Sequence, residues 1–146
     1  MTQVAFHFGA PDRLQYTCRL LRKVVGTGMG AVVLGEKQVL DALDASLWSV
    51  GSTDFVTHAV QDAPPSHLRR SRVLLATALT DAAAAREVLV NLHPQWPSDV
   101  NAFARVIEVV SAQGDDRESA RAKWRQYTAA GYTIVRHDLK TKEAGE

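Results

Sequence analysis

Apolar residues along the chain alternate between two kinds of run: short blocks of four to six and longer stretches with helical spacing. Val4-Ala-Phe-His-Phe8 is a short aromatic and β-branched run ended by Gly9-Ala-Pro11, which predicts a first strand. Asp12 follows as a helix cap, and Leu14, Thr17, Cys18, Leu21 and Val24 recur at helical spacing through residue 25. Gly26 and Gly28 stop that helix. Ala31-Val-Val-Leu34 is uniformly apolar, as a strand buried on both faces of a parallel sheet must be. Glu36 opens a second helix carrying Val39, Leu40, Leu43 and Leu47. Strand, helix, strand and helix in this order predict an α/β layer structure.

The middle of the chain is less regular. Asp54-Phe-Val-Thr-His58 reads as a short extended segment, and Gln61-Asp-Ala-Pro-Pro-Ser66 as a turn-rich loop. Further strands are expected at Arg72–Thr77, Glu87–Leu92 and Val106–Val110, with a short helix-favouring stretch at Ala82–Arg86 and a helical turn at Asn101–Ala104. A polar turn over 111–117 leads into a final helix from about Glu118 to Ala130. Gly131 caps it in the left-handed conformation, and Tyr132–Arg136 forms the last strand. The expected architecture is one domain with a five- to seven-stranded, mostly parallel or mixed sheet flanked by helices. Residues 1–139 form it, and 140–146 form a polar, frayed tail.

Composition narrows the function classes. The 146 residues are 46% hydrophobic and 23% charged, ordinary values for a globular domain. Seventeen Lys and Arg against sixteen Asp and Glu leave a net charge of +1, which does not suggest a protein that wraps nucleic acid. Cys18 is the single cysteine and reads as a buried, inert thiol. The first residues do not resemble a signal peptide, and no apolar run approaches the length of a membrane span. A cytoplasmic protein is expected.

The sequence makes no sound case for catalysis. Gly26-Thr-Gly-Met-Gly30 resembles a dinucleotide loop, but it follows a helix and precedes a strand. A working loop does the reverse, so that a helix N-terminus faces the phosphates. His7, His58, His67, His93 and His137 show no metal-ligand spacing, and Asp115-Asp116 reads as a helix N-terminal pair. No cofactor, metal or catalytic residue is expected.

Binding chemistry concentrates near the C-terminus. Arg121, Lys123 and Arg125 lie with Trp124 and Tyr127 inside seven residues. Arg121 and Arg125 are four apart, as are Trp124 and Thr128, so these four can form one surface ridge. Trp124 then has two readings: a core anchor with a solvated cationic rim, or the wall of a shallow apolar pocket flanked by guanidinium groups. The second suits an acidic peptide with a free carboxylate, and the same residues suit single-stranded nucleic acid. A second apolar group, Leu43, Leu47, Trp48, Phe55 and Val56, is either core or a partner surface.

These residues, in this order, resemble the chi subunit family of bacterial DNA polymerase III. The likeness runs from Val4–Phe8 through Asp41-Ala-Leu-Asp-Ala-Ser-Leu-Trp48, Asp54–His58, Glu87–Leu92 and Phe103–Val110. It ends with Arg121-x-x-Trp-Arg-x-Tyr-x-x-Ala-Gly-Tyr132. It implies a three-layer Rossmann-like fold without a nucleotide-binding loop. The implied role is non-enzymatic: linking the clamp loader to the acidic C-terminal tail of single-stranded DNA-binding protein, and binding a psi subunit on another surface. By the resemblance the tail-binding positions are Arg121, Trp124 and Arg125. Thr128 stands where the family can carry a further basic residue. Trp48, Phe55 and Val56 are the nearest counterparts of the psi-facing surface. Direct contact with DNA is expected to be weak or indirect. A direct single-stranded nucleic acid binder is the alternative, followed by a small nucleotide-dependent enzyme, which only the fold class favours.

Overall fold

The computed structural model describes residues 2–49, 58–60, 72–78, 86–97 and 100–139, with backbone alone for Trp48, Ser49 and 58–60. The strands are β1 (Gln3–Ala10), β2 (Ala31–Leu34), β3 (His58–Val60), β4 (Val73–Ala76), β5 (Val88–Asn91), β6 (Arg105–Ser111) and β7 (Ile134–Asp138). The helices are α1 (Arg13–Gly26), α2 (Lys37–Ser49) and α3 (Gly114–Ala129). All seven strands join one sheet in the order β3-β4-β2-β5-β6-β1-β7, and every pairing is parallel. The sheet expected as mostly parallel or mixed is thus wholly parallel among the described residues.

The apolar blocks without alternation become the central strands. Every residue of β2, β4 and β5 is buried, because helices cover both faces. On one face Val33, Leu75, Val90 and Ile107 pack with Leu21 of α1 and Leu43 of α2. On the other, Phe6, Val32, Leu74 and Leu89 pack with Ala120 and Tyr127 of α3. The result is three layers. Asp12 caps α1 by accepting from the amides of Leu14 and Gln15. Cys18 is buried there, and burial pushes its thiol pKa up, which keeps it protonated.

Several boundaries differ from expectation, and β1 runs on through Gly9 to Ala10 instead of ending at Phe8. α3 begins at Gly114, four residues earlier than the pattern suggested. Asp115 and Asp116 occupy its first turn, where the helix dipole favours carboxylates, and Asp116 Oδ2 accepts from the amide and hydroxyl of Ser111. The polar turn is therefore only 112–113, and Arg117 is a helical residue. β7 runs from Ile134 to Asp138, so Tyr132 and Thr133 belong to the connection. His58 opens β3, whereas 54–57, Phe55 and Val56 among them, lie outside the described residues, as do 79–85 and 140–146.

Gly26-Thr-Gly-Met-Gly30 links the end of α1 to β2, the reverse of a phosphate-binding loop. Gly131, at φ 95°, turns the chain from α3 into β7. A Cβ there would meet nothing within 4 Å, so backbone strain alone should decide the cost of a side chain. Gly131→Ala is expected to lower stability by about 1–2 kcal/mol in urea titration, and a cost near zero would show that the turn relaxes.

Candidate functional site

The buried stripe of α3 is Ala120, Lys123 and Tyr127, a spacing of three and four that presents one helix face to the sheet. Lys123, which helical spacing sets off the Arg121–Arg125 line, is thereby a core residue. Its ammonium donates to Glu108 Oε1 at 2.7 Å and to the His93 carbonyl at 2.9 Å. Glu108, fully buried in β6, also accepts from the Tyr127 hydroxyl at 2.7 Å and from Asn91 Nδ2 at 2.8 Å. Asn91, Glu108, Phe6 and Arg136 are consecutive register partners across β5, β6, β1 and β7. The network therefore fastens α3 to the row of the sheet that also carries the next feature.

That feature is a pocket of about 350 Å³ between the outer side of α3 and the β1–β7 edge, lined by Phe8, Arg117, Ala120, Arg121, Trp124, Arg125 and Arg136. Its rings are a continuous set. Phe6 and Phe8 stack at 5.7 Å, and Trp124 sits 5.0 Å from Phe6 and 6.2 Å from Phe8. The Arg136 guanidinium carbon lies 4.6 Å over the Phe8 ring, a cation–π geometry. Four arginines line the pocket with these rings, and among the described residues no carboxylate does. An anionic group meets forked donors here, and an apolar side chain meets rings.

Arg121, Trp124 and Arg125 are brought together in this pocket. Trp124 satisfies both readings left open for it: half-buried, it packs on the core and forms a wall. Thr128 is not among the lining residues, and its hydroxyl donates to the Trp124 carbonyl one turn back. The ridge thus ends at Arg125, because a short side chain four residues further on reaches only its own helix. Tyr127 belongs to the core, 5.9 Å from Phe6 in an edge-on contact. Phe8, Arg117 and Arg136 were missed. Arg117 follows the spacing of four through Arg121 and Arg125, once the helix is known to start at Gly114. Phe8 and Arg136 come from strands that only the β1–β7 pairing brings together. Of the suggested second surface, Leu43 and Leu47 are core, and Trp48 lies near the end of α2.

Burial first, and the Glu108 carboxylate second, push the Tyr127 phenol far above its ordinary pKa. A raised phenol pKa favours the neutral form in the fold. The stabilisation is therefore complete below the unfolded value of about 10 and is lost as pH rises above it. Burial raises Tyr16 in the same direction. Stability in urea titrations should fall above pH ~10, and Tyr127→Phe should reduce that slope by about 1.4 kcal/mol per pH unit. An unaltered slope would mean that Tyr127 does not titrate on unfolding.

Fold and pocket together define an α/β domain with a cationic, aromatic-floored cleft beside one sheet edge. Among the described residues no helix is long and apolar enough to cross a membrane, and no cluster of potential metal ligands occurs. The sequence pattern of the family described as "DNA polymerase III chi subunit, HolC" matches residues 1–135. The chain is 30% identical over 145 residues to DNA polymerase III subunit chi of Pseudomonas aeruginosa, covering 95% of this chain and 98% of that one. It is 25% identical over 99 residues to the Escherichia coli subunit chi, covering 68% and 65% respectively. The chain belongs to the DNA polymerase III chi subunit family, which gives it an accessory role in replication.

Solved structures show the fold alone. The C-terminal domain of the DEAD-box protein Dbp5 superposes with a TM-score of 0.66 at 12% identity, over 96% of this chain and 91% of that one. The same domain from S. cerevisiae, bound to Gle1 and IP6, gives 0.63 at 11% identity, over 93% and 90%. The fold is thus Rossmann-like.

Proposed function

We propose that this chain is a non-catalytic adaptor of the replicative clamp-loader complex, and that its α3 pocket receives the acidic C-terminal tail of single-stranded DNA-binding protein. The observation that carries this reading is four guanidinium groups arranged around the Phe8–Trp124 floor. Arg117, Arg121, Arg125 and Arg136 match tail carboxylates, and the rings match a terminal hydrophobic side chain. Exposed ion pairs contribute only about 0.2–1 kcal/mol each, so affinity depends on the buried side chain and the terminal carboxylate acting together.

A psi subunit, or an equivalent clamp-loader component, is the second partner of this reading. The residues assigned to it are Trp48, near the end of α2, and Phe55 and Val56, which lie outside the described residues. Because α2 and α3 pack on opposite faces of the sheet, partners held on α2 and on α3 would occupy different parts of the molecule, as a bridge requires.

Calorimetric titration with a synthetic tail peptide tests the reading. Binding near micromolar is expected, weakened several-fold by raising salt and about tenfold by amidating the terminal carboxylate. Equal affinity for the free acid and the amide would show that no carboxylate is recognised and would sink the proposal.

A further inference from the structure

The face of the sheet opposite α3 carries a second concave surface. Seven strands about 4.8 Å apart span about 29 Å, whereas two helices about 10 Å apart cover only about 20 Å. Among the described residues, the helices on the α1 side therefore do not extend over β7 and the adjoining part of β1. A groove of about 380 Å³ lies there, between the C-terminal half of α1 and the strands β6, β1 and β7. Its floor includes Ala5, Ile107 and Val135. Its charged and ring groups are Lys23 on the helix wall, Arg105 at the start of β6, and His7 and His137 on adjacent strands.

We propose that this groove is a phosphate-contacting site for single-stranded DNA, separate from the α3 pocket. Among the described residues no carboxylate lines it, and neither Lys23 nor Arg105 makes an ion pair. Both side chains are exposed. The carboxylate at its near end, Glu87, is turned to the Gly30 amide. The helix forming the wall repeats this segregation. α1 carries Arg13, Arg19, Arg22 and Lys23 and no Asp or Glu of its own, with Arg13, at the far end from the groove, paired to Asp116. In a chain with 17 basic and 16 acidic residues, that is a local concentration of one sign, which the near-neutral total conceals.

The ligand class follows from what lines the groove. The two cations come from different elements, Lys23 from a helix and Arg105 from the start of an interior strand, so they meet a ligand whose negative charges repeat along its length. The floor is shallow and aliphatic. His7 is held by the Tyr16 hydroxyl at 2.5 Å and lies edge-on to His137 at 4.7 Å. Among the described residues no Phe, Trp or Tyr lines the groove, so they give it no aromatic slot like the one that suits the α3 pocket to an apolar side chain. Contacts without stacking or base-edge readout fix the backbone and carry no sequence information. Membership of a DNA polymerase subunit family makes DNA the nucleic acid. A chain that holds the tail of a DNA-coating protein on one face would then touch the coated strand with the other.

Fluorescence anisotropy with a labelled oligothymidylate of about 20 nucleotides tests the proposal on the full chain, without any protein partner. With about two phosphates neutralised, by Lys23 and Arg105, affinity should fall about sevenfold between ~50 and ~200 mM salt. The double variant Lys23→Glu, Arg105→Glu should weaken binding at least about tenfold at low salt while leaving tail-peptide affinity unchanged. Lys23→Gln, Arg105→Gln serves if charge reversal disturbs the last turn of α1, and should flatten the salt dependence. Arg121→Glu, Arg125→Glu should leave oligonucleotide binding within about twofold. Absence of binding at low salt overturns the proposal, as does binding indifferent to Lys23 and Arg105. So does binding abolished only by the α3 variant, which would move the contact to the tail pocket. Polyglutamate held more tightly than the oligonucleotide, and displaced by the Lys23 and Arg105 changes, would assign the groove to an acidic protein segment instead.

Discussion

Replacing Arg125 with glutamate will weaken binding of the acidic tail peptide by about thirtyfold and leave the unfolding midpoint unchanged. Arg125 is exposed and lines the pocket, and among the described residues it forms no ion pair, so the fold does not depend on its charge. The substitution removes a forked donor and places a carboxylate where the ligand's carboxylates must sit. It also gives Arg117, Arg121 and Arg136 an internal anion to hold. Loss of one charge-assisted contact with added repulsion amounts to about 2 kcal/mol, which is about thirtyfold in the dissociation constant. Thr128→Ala, outside the pocket, should change affinity by less than about twofold. Calorimetry on the three proteins with one peptide decides this, and equal affinities for wild type and Arg125→Glu would remove the α3 pocket from the tail-binding reading.

The largest expected effect on stability belongs to Lys123, which lies in sequence between the two ligand-binding arginines Arg121 and Arg125. Lys123→Ala leaves Glu108 fully buried, with Tyr127 and Asn91 as its remaining donors and no compensating charge. Breaking a buried pair from one side costs about 3–5 kcal/mol, a large share of the roughly 5–15 kcal/mol that holds a domain folded. Arg121→Ala, two residues away on the exposed side, should stay within about 0.5 kcal/mol of wild type. The double change Lys123→Met, Glu108→Gln should recover part of the loss, because the buried charge is gone and the amide can still meet Tyr127 and Asn91. Urea titration of the four proteins measures this. A Lys123→Ala protein within 1 kcal/mol of wild type would show that water reaches Glu108 and that the network does not fasten α3.

The two arginines and the lysine show where legibility stopped. Arg121, Lys123 and Arg125 are alike in composition and lie at alternate positions on one helix. Helical spacing puts Arg121 and Arg125 on one line and Lys123 off it, but not which line faces the sheet. The apolar residues near them are alanines, too small to mark the buried side. Tyr127 carried that information, yet an aromatic with a hydroxyl fits a core or a rim equally well. Glu108 decided the matter from another strand, since a buried carboxylate requires a cation and donors over it. Nothing local to α3 announces that requirement.

The strands were legible for a plainer reason. A parallel strand covered on both faces is largely apolar along its length, so Ala31–Leu34, Val73–Ala76 and the Val88–Val90 run of β5 announce themselves almost without context. The glycines after α1 likewise excluded a phosphate loop by their order alone. The start of α3 was less legible, because Asp115 and Asp116 suit a turn and a first helical turn alike, and the bond from Ser111 to Asp116 decides between them.

By itself, then, the amino-acid order determined the layered α/β class, the lack of a nucleotide loop and the ridge of Arg121, Trp124 and Arg125, since each rests on periodicity or on neighbours along the chain. The tertiary structure alone decided that Lys123 is core, that Thr128 stands aside, and that Phe8 and Arg136 complete the pocket. It also decided that Lys23 and Arg105 flank a second groove. These depend on which strands lie side by side, and the β1–β6 and β1–β7 pairings join residues about a hundred or more positions apart whose contact no local pattern encodes.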